Sequence, residues 1–187
     1  MDLDKGHAVA VAALRLLRIE RPDLKVVCLF AGSGYPKAEL EIKSRALLDE
    51  ADRRSFRFLG QCTVPELRSV YWASDLALLP SRGEGFGIAM VEAMCCGCVP
   101  IRTPGGGARD QIVEGETGFI VPFGDPAALA RRITDLANPQ LRARMREASI
   151  KHAFSKFGKQ VAIERTAAVY QDAVLHRRRG WFKQPMP

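Results

Sequence analysis

Pro80-Ser81-Arg82-Gly83-Glu84-Gly85-Phe86-Gly87-Ile88-Ala89-Met90-Val91-Glu92-Ala93-Met94 is the stretch on which the fold turns. It follows the apolar run Leu76-Ala77-Leu78-Leu79, which Pro80 interrupts, and it passes through a glycine-containing loop into an apolar helix over 87–96. Strand, loop and helix in that order are the building block of a parallel sheet. Glu92 is the lone carboxylate of a helix that is otherwise apolar on nearly every side. An unpaired buried charge is costly, so Glu92 is expected to be buried against a hydrogen-bonding partner, in the protein or in a ligand. Glu84 stands eight positions earlier, and Gly85 and Gly87 leave the helix entrance open. Free N–H groups and the positive end of the helix dipole make that entrance an anion site, with phosphate as the natural occupant. At ~1.5 Å rise per residue, Glu92 lies roughly 7 Å along the helix from Gly87, which suits a ribose beside its phosphate.

Outward from this unit, helix-like and strand-like segments alternate along almost the whole chain, the pattern of βαβ units. Toward the N-terminus, an amphipathic helix is expected over 7–18, a buried strand over 25–31, a turn at Gly32-Ser33-Gly34 and a helix over 36–50. A short strand over 56–59 leads to Thr63-Val64-Pro65-Glu66, a capping box that opens a helix reaching residue 73. Toward the C-terminus come a strand over 99–102, the loop Pro104-Gly105-Gly106-Gly107, a strand over 119–121, and helices over 126–137, 139–152 and 160–176. In an open sheet of this kind a ligand sits outside the carboxyl ends of the strands, so the loops after Ala31, Leu59, Leu79, Arg102 and Val121 are the ones that matter.

Composition narrows the class. The 187 residues are 47% apolar, enough for one real core, and 28 basic against 21 acidic side chains leave a net charge of +7. That excess favours anionic partners. No apolar run approaches the ~20 residues of a membrane span, and Met1-Asp2-Leu3-Asp4 is acidic where a secretory leader is basic, so a cytoplasmic location is expected. The tail over 177–187, with Arg177, Arg178, Arg179 and Lys183 beside Trp181 and Phe182, offers peripheral contact with an anionic inner membrane face; a solvated terminus is the plainer reading. Of the five cysteines, Cys95 and Cys98 form a C-x-x-C without a second ligand pair, and small buried residues at a helix end explain them better than zinc or redox chemistry.

The glutamates at 84 and 92, the Glu84-Gly85-Phe86-Gly87 core, the preceding Leu79-Pro80-Ser81 and the following Glu92-Ala93-Met94 with Gly97 and Pro100 resemble the retaining glycosyltransferases called group 1. Lys5-Gly6, Phe58-Leu59-Gly60, Ala73-Ser74-Asp75, Gly105-Gly106 and Gly118 to Pro122 with Asp125-Pro126 match further landmarks of that family in order. The resemblance implies a Rossmann-like α/β fold, a doubly wound parallel sheet with helices on both faces, forming over 1–187 the C-terminal half of a GT-B architecture. It implies a nucleotide-sugar donor of UDP or GDP type and sugar transfer with retention, of the hexosyltransferase kind. It assigns the ribose hydroxyls to Glu92 and the donor sugar hydroxyls to Glu84. The diphosphate falls to Lys5 and to the backbone of Gly85, Phe86, Gly87 and Ile88. The base falls to Gly60 and Gln61, and further donor contacts to Gly105 and Gly106. No metal, other cofactor or nucleic acid enters this picture, and no covalent nucleophile is needed.

Relatives of this kind open the domain with a strand ending in Gly-Arg about five residues before the lysine. The expectation is therefore a missing first strand, one diphosphate cation fewer, an absent N-terminal acceptor domain that the rest of a longer chain or a partner chain supplies, and no activity for the isolated chain. Asp110 stands where many relatives carry a glutamate. A non-catalytic nucleotide-binding fragment is the alternative to the enzyme; a sugar-nucleotide epimerase of the same architecture would carry other carboxylate and histidine blocks. His7 reads as a surface residue at a helix start, and His152 and His176 read as solvated.

Overall fold

The computed structural model describes residues 5–32 and 55–178. The helix expected over 36–50 and the basic residues from Arg179 onward lie outside them. In chain order the elements are α1 (His7–Glu20), β1 (Cys28–Ala31), β2 (Phe56–Gly60), α2 (Val64–Trp72), β3 (Leu76–Leu79), α3 (Ile88–Cys95), β4 (Val99–Arg102), α4 (Ala108–Gln111), β5 (Phe119–Ile120), α5 (Pro126–Asp135), α6 (Pro139–Phe157) and α7 (Lys159–Arg178).

All strand pairs are parallel. Cys28 lies opposite Phe56 in the β1–β2 pair, and Leu76 opposite Val99 and Ile101 opposite Phe119 in the order β3–β4–β5. Among the described residues no strand joins β1 to β3, so the sheet comes in two parts. Side-chain alternation shows that both faces are covered. Leu76 and Leu78 join Val99, Ile101 and Phe119 against the apolar sides of α1 and α5, which pack on each other. Ala77 and Leu79 point the other way, onto Met90, Met94 and Ala153 of α3 and α6. This is a doubly wound α/β arrangement.

Central position explains the burial of β4, which has strands on both edges and is buried at every residue. By contrast, β3 is only half-buried throughout, and β1 is shorter than the expected run over 25–31 because its ladder starts opposite Phe56 and leaves Val27 exposed. Local chemistry sets the helix ends. Asp125 Oδ1 accepts the Ala128 N–H at 2.8 Å and Asn138 Oδ1 the Leu141 N–H at 3.0 Å, each with a proline in the first turn. The carboxylate of Glu66 accepts the Thr63 N–H at 2.7 Å, the anticipated capping box. Two spans differ from expectation. Helix α6 continues to Phe157, where Gly158 ends it, and α4 is a single turn just after the glycine loop, where no element was expected.

Candidate functional site

Residue 6 brings the first site residue into place. Gly6 has φ of 73°, and a Cβ there would collide with the Pro80 carbonyl oxygen at the end of β3. The start of α1 therefore sits against the carboxyl end of β3, and the His7 ring meets Phe30 of β1 edge-on at 5.3 Å. From this position Lys5 Nζ reaches Glu84 Oε2 at 3.0 Å. The two residues singled out for chemistry, 79 positions apart, thus form one ion pair, with side-chain exposures of 45% and 19%.

Glu84 to Gly87 link β3 to α3, and Gly87 at φ 79° caps the helix. Ile88 is 66% exposed and Phe86 38%, with the Phe86 ring edge-on to Phe157 at 5.6 Å. Glu92 is exposed as well, which corrects the expectation that it is buried. Met90, Ala93 and Met94 take the core side of α3, and Ile88, Ala89 and Glu92 share the open side. Its carboxylate makes no hydrogen bond or ion pair among the described residues, so it needs no internal partner. Gly105 and Gly106 lie against the Glu84 loop, where the Gly106 N–H donates to Glu84 O at 3.0 Å. Gly60 ends β2 with φ 72° and accepts the Gly32 N–H at 2.9 Å, and Gln61 beyond it is exposed. These two lie in the other part of the sheet, and no hydrogen bond among the described residues ties them to Lys5 or Glu84.

Three further side chains emerge to which the sequence assigned no role. Arg102, 1% exposed, and Gln111, fully buried, lie beneath the two glycine loops, and Arg102 Nη1 donates to Gln111 Oε1. An arginine in the apolar strand Val99-Pro100-Ile101-Arg102 is the sequence signal that was available. Burial holds the Arg102 guanidinium below its ordinary pKa, with the Glu84 charge opposing that shift. The third is Ser81, whose hydroxyl is buried without a partner among the described residues.

Other groups face elsewhere. The Asp110 carboxylate, expected in place of a donor-site glutamate, reaches Lys156 Nζ at 3.6 Å on α6. His152, expected to be solvated, is half-buried with Nε2 3.0 Å from the Asp110 carbonyl oxygen. Cys98 Sγ donates to Tyr71 O at 3.2 Å, and burial pushes its thiol up to about 12. Burial also raises Cys95, so both members of the C-x-x-C stay protonated at neutral pH. A groove of about 620 Å³ lies apart from these loops, lined by Glu20, Arg21, Arg131, Arg132 and Asp135 with charges of both signs.

The family model for glycosyl transferases group 1 matches residues 1–152. The chain is 38% identical over 184 residues to a D-inositol 3-phosphate glycosyltransferase of Streptomyces avermitilis, covering 94% of this chain and 39% of that protein. A glycosyltransferase structure from Rickettsia africae superposes with a TM-score of 0.78 at 23% identity, over 91% of this chain and 45% of that one. The Anabaena protein Alr3699/HepE, solved in complex with UDP-glucose, superposes at 0.73 with 23% identity over 87% and 45%. The C-terminal domain of the group 1 protein LpcC from Francisella tularensis superposes at 0.70 with 25% identity, covering 83% of this chain and 80% of that domain. This doubly wound α/β unit is thus a glycosyltransferase domain of Rossmann-like GT-B type. The chain belongs to the group 1 glycosyl transferases, and it spans about two-fifths of the length of the curated relatives it matches.

Proposed function

We propose that the chain is the donor-binding half of a retaining, hexosyltransferase-type glycosyltransferase, which binds a UDP- or GDP-type sugar and acts once joined to an acceptor-binding N-terminal domain. The observation that carries this reading is the convergence of Lys5 and Glu84 at 3.0 Å beside the open glycine entrance of α3. Lys5 neutralises the diphosphate as it leaves, and the backbone of Gly85 to Ile88 cradles it. Glu84 holds the sugar hydroxyls, Glu92 the ribose and Gly60-Gln61 the base, with Gly105 and Gly106 closing the sugar side. The anomeric C–O bond to the diphosphate breaks as the acceptor oxygen bonds from the same face, and the acceptor proton passes to the departing diphosphate. Positioning and charge stabilisation are the protein's contributions, and the reading calls for no divalent metal. The Anabaena neighbour's UDP-glucose supports a uridine diphosphate sugar.

Support for a second domain comes from the share of the relatives that this chain spans and from α7, whose Ile163, Val169, Tyr170 and Val174 are all more than half exposed. The test is calorimetric titration of the chain with UDP, GDP, ADP and their sugars. Saturable binding of UDP or GDP and its sugar is expected, and binding of neither overturns the proposal.

A further inference from the structure

The Glu84–Gly87 and Gly105–Gly107 loops touch backbone to backbone. A Cβ on Gly106 would collide with Gly85 O, and one on Gly107 with the Phe86 ring. What holds this contact in place lies underneath. Arg102 Nη1 donates to Phe86 O at 3.0 Å and Nη2 to Gly106 O at 3.1 Å, so a single guanidinium grips both loops. Nε donates to Thr103 O at 3.3 Å. Gln111 accepts from Nη1 and uses its own Nε2 to reach Phe86 O at 2.7 Å and Gly87 O at 3.3 Å.

Every acceptor of this guanidinium is neutral, and no carboxylate lies within ion-pair distance among the described residues. A buried cation whose direct hydrogen-bond partners are all dipoles, with the Glu84 charge acting only from beyond ion-pair distance, is costly, and apolar side chains would serve the fold as well or better. The peptides of the loops are trans and planar, so each N–H points opposite to the preceding carbonyl. With Phe86 O and Gly106 O drawn to Arg102, the N–H groups of Gly87 and Gly107 point away from it. A Cβ on Gly87 would stand only 3.2 Å from Nη1, so the charge lies close against that residue. N–H groups turned away from a cation that no carboxylate contacts suit a multiply charged anion.

We infer that Arg102, seated on Gln111, is a positioning residue of the donor site: it presets the two glycine loops so that Gly87 and Gly107 N–H face the diphosphate, and its charge favours that anion. This rests on the nucleotide-sugar reading above. The test is calorimetry on the full chain with UDP and GDP against UMP and GMP, for the parent, Gln111→Glu and Arg102→Met, with melting curves alongside. Gln111→Glu keeps the side chain's size and sets a carboxylate on the guanidinium, which neutralises the charge and removes the donation to Phe86 O and Gly87 O. Diphosphate affinity is expected to fall about tenfold or more, as for loss of a charge-assisted interaction, while monophosphate affinity stays within about twofold. Arg102→Met, where it folds, shows the same selectivity. If Gln111→Glu melts lower than the parent, the ratio of the two affinities still decides, because loss of folded protein scales both alike. Unchanged affinity, or an equal loss for both ligands, overturns the role of Arg102. A parent chain that binds no nucleoside diphosphate overturns the nucleotide-sugar reading itself.

Discussion

Glu92 stands on the open side of α3 one turn beyond Ile88, with its carboxylate committed to nothing in the protein among the described residues. Replacing it removes no packing, so Glu92→Ala should leave the melting temperature nearly unchanged, as for surface substitutions. Nucleotide affinity measured by calorimetry should weaken by roughly 1.5–3 kcal/mol through lost charged hydrogen bonds, and equal affinity in variant and parent removes Glu92 from the site. Gly6 makes the opposite case. Its φ of 73° and the Pro80 carbonyl against it leave no room for a side chain. Gly6→Ala should destabilise the chain by at least about 1 kcal/mol in a denaturant titration, and parental stability would show that α1 does not dock on β3 as described. Glu84, Glu92 and the glycines between Pro80 and Ile88 stood out in sequence as residue types unusual in their segment, whereas Lys5, Gly60, Gly105 and Gly106 were picked out by the family resemblance. The exposure of Glu92 was not legible, because eight apolar-looking positions do not reveal which side of a helix meets the core. The Arg102–Gln111 pair was also hidden, since neither residue says that the other folds beneath the same loop.

At the scale of elements, alternating patterns located the strands and most helices to within a few residues, because a strand run bounded by proline or glycine leaves little choice of register. Pairing was less legible. Nothing in the run over 25–31 shows that only Cys28 to Ala31 find a partner, or that β1 and β3 each keep one edge without a strand among the described residues. Unpaired edges template association. The chain should therefore self-associate at high concentration in sedimentation velocity, and a clean monomer throughout would contradict this. Burial within the elements also sets an alkaline limit. The thiols of Cys28 on β1 and Cys98 before β4 are pushed from an ordinary 9.0 up to about 12 by burial, and Tyr71 on α2 from 10.0 to about 12 by burial and then by Glu92. These acids stay protonated in the folded state at a pH where the unfolded chain has released its protons. Their contribution to stability is whole below pH 9 and is lost as pH rises toward 12. The melting temperature should hold near pH 8 and fall progressively above about 9, and a flat profile to pH 11 would contradict the burial of these groups.

Across the whole molecule, the carboxyl ends of the strands gather the glycine loops, Lys5, Glu84 and the outward side of α3 on one rim, as the rule for open α/β sheets requires. The groove near Arg131 and Arg132, which reaches Ile120, Val121 and Pro122 at the end of β5, shares none of these residues and is the natural rival for an anionic ligand. The most direct discrimination is a crystal structure of the chain with UDP or GDP bound. The account predicts the diphosphate against Lys5 and the backbone of Gly85 to Ile88, with the ribose on Glu92. A nucleotide seated in the Arg131–Arg132 groove, or anywhere away from the start of α3, would contradict it.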